Sequence, residues 1–432
     1  MNDQQPHDAP QRAPRWTRIV PWPARMPQLP ARQWKVLGLL GAAEFADHYD
    51  IGLLSMLLLQ IQRGLGVGEQ EIGVLAGIIR MGALLSLAAG VMADRLGRRR
   101  LLLFTVVGYS VTTFLTAFAR TPIEFTIFQL IGRGFLYAET AIAIVVVTEE
   151  LAAKDRGFGL GLLGALGACG HGGAAIALSL VETIPYGWRA LYALGAFPFL
   201  FLAWLRRSLP ETARFEATRR ERAPWWTPLR SLATAYPHRL VALLSVAFLL
   251  DFAVGGAVYL MAKTLQEVHG YTAGQVTALY LLGGVLAIAG NQAAGMWSDR
   301  VGRKPVLIML LLVMGSAYAG FYDTRGFWIA PLWIAQVFAL QGVTVLVRAL
   351  GSELFPTSYR STASSLRMVA GTLGGASGLW LESYLYGVLG SHAAAITALL
   401  PALAVAALLV WLTLPDPARR ELEEVSPERA NS

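Results

Sequence analysis

Charged side chains inside long apolar runs are rare, and those that occur usually mark a pathway for an ion or a polar ligand. This chain places Glu44, Asp47, His48 and Asp50 in its first such run, Arg80 in the second, and Arg133 and Glu139 in the fourth. His171, Asp251, Arg348, Arg367 and Glu382 follow in later runs. A carboxyl group in a low-dielectric site is pushed toward its neutral form by desolvation and toward its charged form by a nearby arginine. An aspartate–arginine pair that parts and re-forms would therefore take up and release a proton. An arginine in the same place would hold a carboxylate ligand through paired hydrogen bonds.

Helix geometry decides which of these groups can meet. At ~1.5 Å per residue, Asp50 lies roughly 22 Å along its helix from Lys35, Arg80 roughly 21 Å from Asp94, and Arg133 roughly 24 Å from Glu149. The three share one depth near the middle of a bilayer. Asp50 is the first candidate for proton coupling, with Asp47 beside it and Glu44 one turn further back. The competing reading is a permanent ion pair that only neutralises buried charge. Glu139 faces another side of the helix from Arg133 and is either a second proton site or a partner for Arg80. Arg348 and Arg367 lie nearer one surface. His171 reads more simply as a packed polar residue than as a ligand.

The elements that carry these residues must be membrane helices. The 432 residues are 55% hydrophobic and 15% charged, and the mean hydropathy is +0.50. A soluble domain would carry nearer a quarter charged residues. Twelve runs are long enough to span: roughly 35–60, 71–93, 101–119, 122–149, 157–181, 187–208, 238–266, 273–297, 304–322, 326–353, 359–389 and 391–414. The expected fold is all-α, with two pseudo-symmetric six-helix bundles at 35–208 and 238–414. They are joined by a cytoplasmic linker at 209–237 and flanked by cytoplasmic tails at 1–34 and 415–432.

Lysine and arginine fall almost entirely on the side holding both termini, from Arg12 to Lys35, through 95–100, Lys154, Arg156 and 206–239, to Arg429. The outer loops hold only Arg63, Arg120, Arg189 and Arg325. Both termini are thus expected in the cytoplasm, for a multi-pass protein of a bacterial plasma membrane. The net charge of +8 reads as a topology signal, and no nucleic-acid partner is expected. The first run lacks a small-residue cleavage site and is read as a retained span. The lone Cys169 permits no intrachain disulfide. No metal-ligand spacing and no phosphate-cradling loop is present, so no metal, no cofactor and no ATP-driven cycle is expected. Twelve spans also argue against a soluble enzyme, and a 34-residue tail is too short for a signalling domain. The protein is expected to act as a monomer on a small-molecule substrate and protons within the lipid bilayer.

A repeat organises the whole. Gly90-Val-Met-Ala-Asp94-Arg95-Leu-Gly97-Arg98-Arg99 returns as Gly295-Met-Trp-Ser-Asp299-Arg300-Val-Gly302-Arg303-Lys304, with the two aspartates 205 residues apart. Glu149 and Arg156 return as Glu353 and Arg360. Duplicated helix bundles around a central site are the plan of secondary transporters.

The Gly-x-x-x-Asp-Arg-x-Gly-Arg-Arg pattern resembles the signature loop between the second and third helices of the major facilitator superfamily. Pro210-Glu211-Thr-Ala-Arg214-Phe215 resembles the motif after the sixth helix of sugar porters and related metabolite–proton symporters. Glu353-Leu-Phe355-Pro356-Thr357-x-x-Arg360 resembles its counterpart after the tenth. The resemblance covers 35 to 414 and implies a cytoplasmic salt-bridge cage that is closed when the protein faces outward. Its members here would be Asp94, Arg95, Gly97, Arg98, Arg99, Glu149, Arg156, Glu211, Arg214, Asp299, Arg300, Gly302, Arg303, Lys304, Glu353 and Arg360.

Tyr49-Asp50-Ile51-Gly52 is similar to a first-helix stretch of sugar porters whose aspartate is the coupling residue. Asp47-His48-Tyr49-Asp50 fits the paired aspartates of aromatic-acid symporters. In the seventh span, Phe248-Leu-Leu-Asp251-Phe-Ala-Val-Gly255-Gly256 lacks the glutamines with which sugar porters hold hexose. The expectation is a proton-coupled symporter working by alternating access, with an organic acid favoured as substrate. A sugar or polyol symporter and a proton-coupled efflux antiporter are the alternatives. The glycines of the fifth span lack the Gly-Pro of antiporter motifs and read as a close-packing face.

Overall fold

The computed structural model describes residues 27–87, 98–152, 155–206, 227–356 and 359–416, which are helical with no strand among them. The first span is α1 (Ala31–Met56), which breaks at Leu57 and continues as α2 (Leu58–Leu65). The second begins as α3 (Glu69–Met81) and tightens into a 3-10 turn at Gly82–Leu85. Then come α4 (Arg98–Ala117), α5 (Pro122–Glu150), α6 (Arg156–Leu180) and α7 (Trp188–Arg206). The second half contains α9 (Pro237–Glu267), α10 (Ala273–Val301), α11 (Arg303–Asp323), α12 (Ile329–Glu353) and α13 (Arg360–Leu389). Its last span is divided into α14 (His392–Leu399) and α15 (Pro401–Thr413), since Pro401 has no N–H to continue the ladder.

Two differences from the sequence reading stand out. The runs 35–60 and 391–414 are each two helices. The linker 209–237 ends in an ordered helix, α8 (Thr227–Ala235), whose Leu232 is fully buried and which packs against α9 and α13.

Among the described residues, seven helical segments are long and apolar enough to cross a bilayer by length and composition. Other spans fall short for local reasons. Glu44, Asp47 and Asp50 interrupt α1. The apolar part of α4 is only Leu101–Ala117. Serines and glycines dilute α13. At the end remote from the chain termini, here the far end, helices start with side-chain caps. Thr121 and Ser391 accept from Glu124 N and Ala394 N, and Thr272 forms a capping box with Gln275.

Within each half, helices touch through glycine. A Cβ on Gly170 of α6 would strike the Phe45 carbonyl of α1, and one on Gly167 would meet the His48 ring. On α13, Gly374 and Gly378 lie against the Phe248 and Phe252 carbonyls of α9. Small residues that let backbones approach are the means by which helices associate in lipid, where apolar burial alone gives little drive.

The halves meet through α3 with α13, α6 with α10, and α1 with α9. The larger apolar core runs through the second half and on into the far end of the first, including Leu54, Leu58, Ile61 and Trp188. A separate, smaller core holds the first half together near the chain termini, around Leu37, Leu40, Leu101, Val147 and Leu163. The bundles are therefore welded at the far end and packed independently at the terminus end.

Candidate functional site

Asp50 of α1 and Arg133 of α5 face each other in the middle of the first half. Arg133 Nη2 stands 3.9 Å from Asp50 Oδ2, with side chains 7% and 2% exposed. That gap is longer than a hydrogen bond, so the two charges neutralise each other without a locked contact. Local backbone geometry brings Arg133 there. The 3-10 turn after α3 lets Gly82 lie against the Leu130 carbonyl, and Gly134 packs on Leu85. Thus α3 and α5 cross with glycines directly beside the arginine.

Tyrosines line the surroundings. Tyr109 of α4 and Tyr192 of α7 are fully buried and within electrostatic range of both Asp50 and Arg133. Tyr259 of α9 faces Arg133 from the other half. Asp47 is fully buried one turn before Asp50, and Glu139 is buried further along α5. Glu44 is buried as well, with His48 Nδ1 against its carbonyl at 2.9 Å and its carboxylate at 3.5 Å. His48 in turn meets His171 edge-on, with ring centroids 5.2 Å apart, so His171 belongs to the α1–α6 contact.

Arg80 leaves this cluster. It crosses the seam to Asp251 of α9, Nη2 to Oδ1 at 3.0 Å, with side chains about one-third exposed (33% and 36%). Arg367 of α13 lies in the field of Asp251, and Arg348 of α12 in that of His48. Arg348 and Arg367, read from sequence as near-surface residues, thus border the same central space. Asp251 is the residue whose role the sequence did not disclose. Its partner lies in the other half, 171 residues away, and no local pattern points to it.

The loop residues separate into two groups. In the second half, Arg303 bonds Asp299 (2.6 Å) and Glu353 (3.1 Å). Its backbone N–H donates to Asp416 at 3.0 Å. Gly302 takes φ +122, a conformation that glycine adopts readily. Arg360 donates to the Phe355 carbonyl at 3.3 Å. Arg300 is exposed and Lys304 half-buried. In the first half, Asp94, Arg95, Gly97, Glu211 and Arg214 lie outside the described residues, as do the side chains of Arg98, Arg99, Glu149 and Arg156. The neighbouring Arg32 of α1 pairs with Glu150 at 3.1 Å.

Several bonds join the halves between the midplane and the far end. Thr277 donates to the Ala175 carbonyl at 2.6 Å, Trp380 to the Val74 carbonyl at 3.2 Å and Gln60 to Gln266 at 2.8 Å. Arg63 pairs with Glu267 at 3.3 Å. The far end is closed by these bonds, and the Arg80–Asp251 pair lies on their terminus side.

Comparison with known proteins agrees with this arrangement. The family profile described as Major Facilitator Superfamily matches residues 40–295 and 244–431. A Bacillus subtilis protein named as a niacin/nicotinamide transporter, NiaP, is 27% identical over 353 residues, covering 81% of this chain and 87% of that one. A Cupriavidus pinatubonensis protein named as a 4-methylmuconolactone transporter is 27% identical over 330 residues, covering 73% and 75%. Among solved structures, a D-xylose-proton symporter superposes with a TM-score of 0.72 at 16% identity, over 89% of this chain and 98% of that one.

Proposed function

The chain belongs to the major facilitator superfamily of membrane transporters, and from that premise we propose that it carries a small organic acid together with a proton by alternating access. The observation that carries this reading is the loose, buried Asp50–Arg133 pair at 3.9 Å. An arginine this deep can serve one carboxylate or another. When a substrate carboxylate takes the guanidinium in a two-point contact, Asp50 is left in an apolar site without its countercharge. Burial then favours the protonated carboxyl. Substrate and proton are therefore bound together and released together.

Tyr259, the partly exposed tyrosine beside the pair, suits a flat, unsaturated or aromatic acid, which stacks on its ring while the carboxylate meets the arginine. The names of the two relatives, one for niacin/nicotinamide and one for 4-methylmuconolactone, support that class over sugars. Gly167, Gly170 and Gly173 of α6 are occupied in packing on α1, which favours symport over the antiport reading.

Orientation follows the distribution of lysine and arginine, which assigns the terminus end to the cytoplasm. With the far end closed, we read this as a state whose outer side is shut. The Asp299–Arg303–Glu353 cluster is half of a cytoplasmic latch that would meet its counterpart, built from Asp94, Arg95, Arg98 and Glu149, in the outward-facing state. The test is proton flux into proteoliposomes loaded with a pH dye and challenged with pooled aromatic and unsaturated acids, then with pooled sugars. Lumen acidification with the acids alone supports the proposal. Acidification with sugars alone, or silence with both pools in folded protein, overturns it.

A further inference from the structure

Five charged residues and a histidine close the far end, and their arithmetic is unusual. Glu69 at the start of α3 bonds Lys263 of α9 directly and accepts from Gln62 at 2.7 Å. Lys263 is buried and also faces Glu267 at 3.6 Å, which in turn pairs with Arg63 of α2. Between Glu69 and the fully buried Glu382 of α13 stands His392 of α14. Its Nε2 lies 3.0 Å from Glu69 and its Nδ1 2.6 Å from Glu382.

A neutral imidazole has one N–H and can donate once. Here each ring nitrogen faces a carboxylate oxygen at hydrogen-bond distance, so the triad holds one proton more than a neutral ring and two carboxylates would. The count is the same whether the ring or one carboxyl carries it. The cluster charge agrees. Glu69, Glu267 and Glu382 outnumber Lys263 and Arg63 by one, and an imidazolium restores neutrality where a buried excess charge would be costly. The Tyr386 ring lies stacked on His392, centroids 4.1 Å apart at 21°, as a cation favours. Of the other elements packed on α14, α11 carries Tyr318, Tyr322 and the exposed Asp323 at this end, and α15 has no ionisable side chain.

We propose that Glu69, His392 and Glu382 form a second proton-binding site, separate from Asp50, which takes one proton from the outer solution each time the far end closes and returns it on opening. The bond that forms is N–H on the imidazole, or O–H on a carboxyl, and the proton comes from water at the parting seam. Glu69 belongs to the first half while Lys263, Glu382 and His392 belong to the second, so the complete triad, with a carboxylate on each ring nitrogen, exists only when the halves meet. This rests on the reading of the chain as an alternating-access transporter. Outer acid would then favour closure, and a one-proton difference between states changes the open-to-closed ratio by up to about tenfold per pH unit.

The test uses the full chain in lipid nanodiscs, with Cys169→Ser and spin labels on Arg120→Cys and Phe327→Cys, which sit in far-end loops of opposite halves. Pulsed electron–electron distances are recorded between about pH 5 and about pH 8, the range in which histidine titrates. The expected result is a short-distance population that grows on acidification, a slope abolished by His392→Gln and by Glu382→Gln, and a slope kept by Asp50→Asn. A ratio flat with pH in the parent, as one population or two, overturns the proposal, as does an unchanged slope in both variants. Substrate counterflow on the same protein separates the failures. A flat ratio with exchange intact removes the second site alone, whereas folded protein without exchange for any acid removes the transport reading.

Discussion

Arg80 of α3 and Asp251 of α9 meet at 3.0 Å across the seam between the two halves, and Gly375 of α13 is the residue that makes room, since a Cβ there would strike the guanidinium. The pair is one-third exposed, so its own energy is that of a partly screened bridge, about 1 kcal/mol. Its effect is directional because it exists only while the far end is closed. Asp251→Asn or Arg80→Gln is expected to shift the resting population toward the far-end-open state and to change transport rate by about fivefold. The double variant is expected to cost less than the sum of the singles, and a double-mutant cycle on initial rates measures that coupling. Purely additive effects would show that the two residues act independently.

The glycine faces make a prediction about stability that is independent of transport. Gly170→Ala would force a Cβ into the Phe45 carbonyl, and Gly374→Ala into that of Phe248. Backbone cannot yield as a flexible side chain does, so each is expected to destabilise by about 1–3 kcal/mol. Gly164, on the same helix as Gly170, has open space where its Cβ would stand, and Gly164→Ala is expected to be neutral or slightly stabilising. Apparent melting temperatures of the detergent-solubilised variants decide the matter. Equal melting temperatures for Gly164→Ala and Gly170→Ala would remove the claim that α1 and α6 are joined through this face.

What was legible in the sequence follows from what is local. The paired loops, the order of the helices and the shared depth of Asp50 and Arg133 come from spacing along single helices, which a regular rise of ~1.5 Å converts directly into height. The breaks at Leu57 and Leu400 were hidden because apolar content continues through them. The far-end closure was hidden for a different reason. Glu69, Lys263 and His392 stand at helix ends next to loops, where charge is ordinary and carries no signal. Only the seam, where α3 packs on α13 and α1 on α9, with α14 against both α9 and α13, brings the three together. Arg80 shows the same limit, since depth allowed it to reach Arg133's neighbourhood while the seam supplied a carboxylate from the other half.

At the terminus end, Arg303 holds Asp299 and Glu353 together within one half. In the far-end-closed state this cluster only fixes the ends of α10, α11 and α12. Its proposed work comes when the terminus end closes and the first-half loop, with Arg98 at the start of α4, arrives. Arg303→Ala and Arg98→Ala are each expected to slow turnover about tenfold while changing substrate affinity less than about threefold, because the proposed latch acts on the change of state and not on the central site. Transport rates and equilibrium binding on the same preparations test this. A loss confined to binding would move both residues out of the gating step.

The central pair gives the sharpest division of roles. With Asp50→Asn, Arg133 has lost its resident partner but keeps its fork for a substrate carboxylate, and no group at that position can exchange a proton. Accumulation driven by a proton gradient is therefore expected to vanish, while counterflow of substrate with no gradient persists within about threefold of the parent. Arg133→Lys keeps a positive charge beside Asp50 but replaces a planar five-donor group with a point charge. Its affinity for a carboxylate substrate is expected to fall by about tenfold or more, the equivalent of about 1.4 kcal/mol, with coupling intact in what transport remains. If Asp50→Asn abolishes counterflow as well, Asp50 holds the substrate or the fold. If Arg133→Lys binds acids as the parent does, the arginine serves only to neutralise Asp50, and the carboxylate must be held by Arg348 or Arg367 at the edge of the same space.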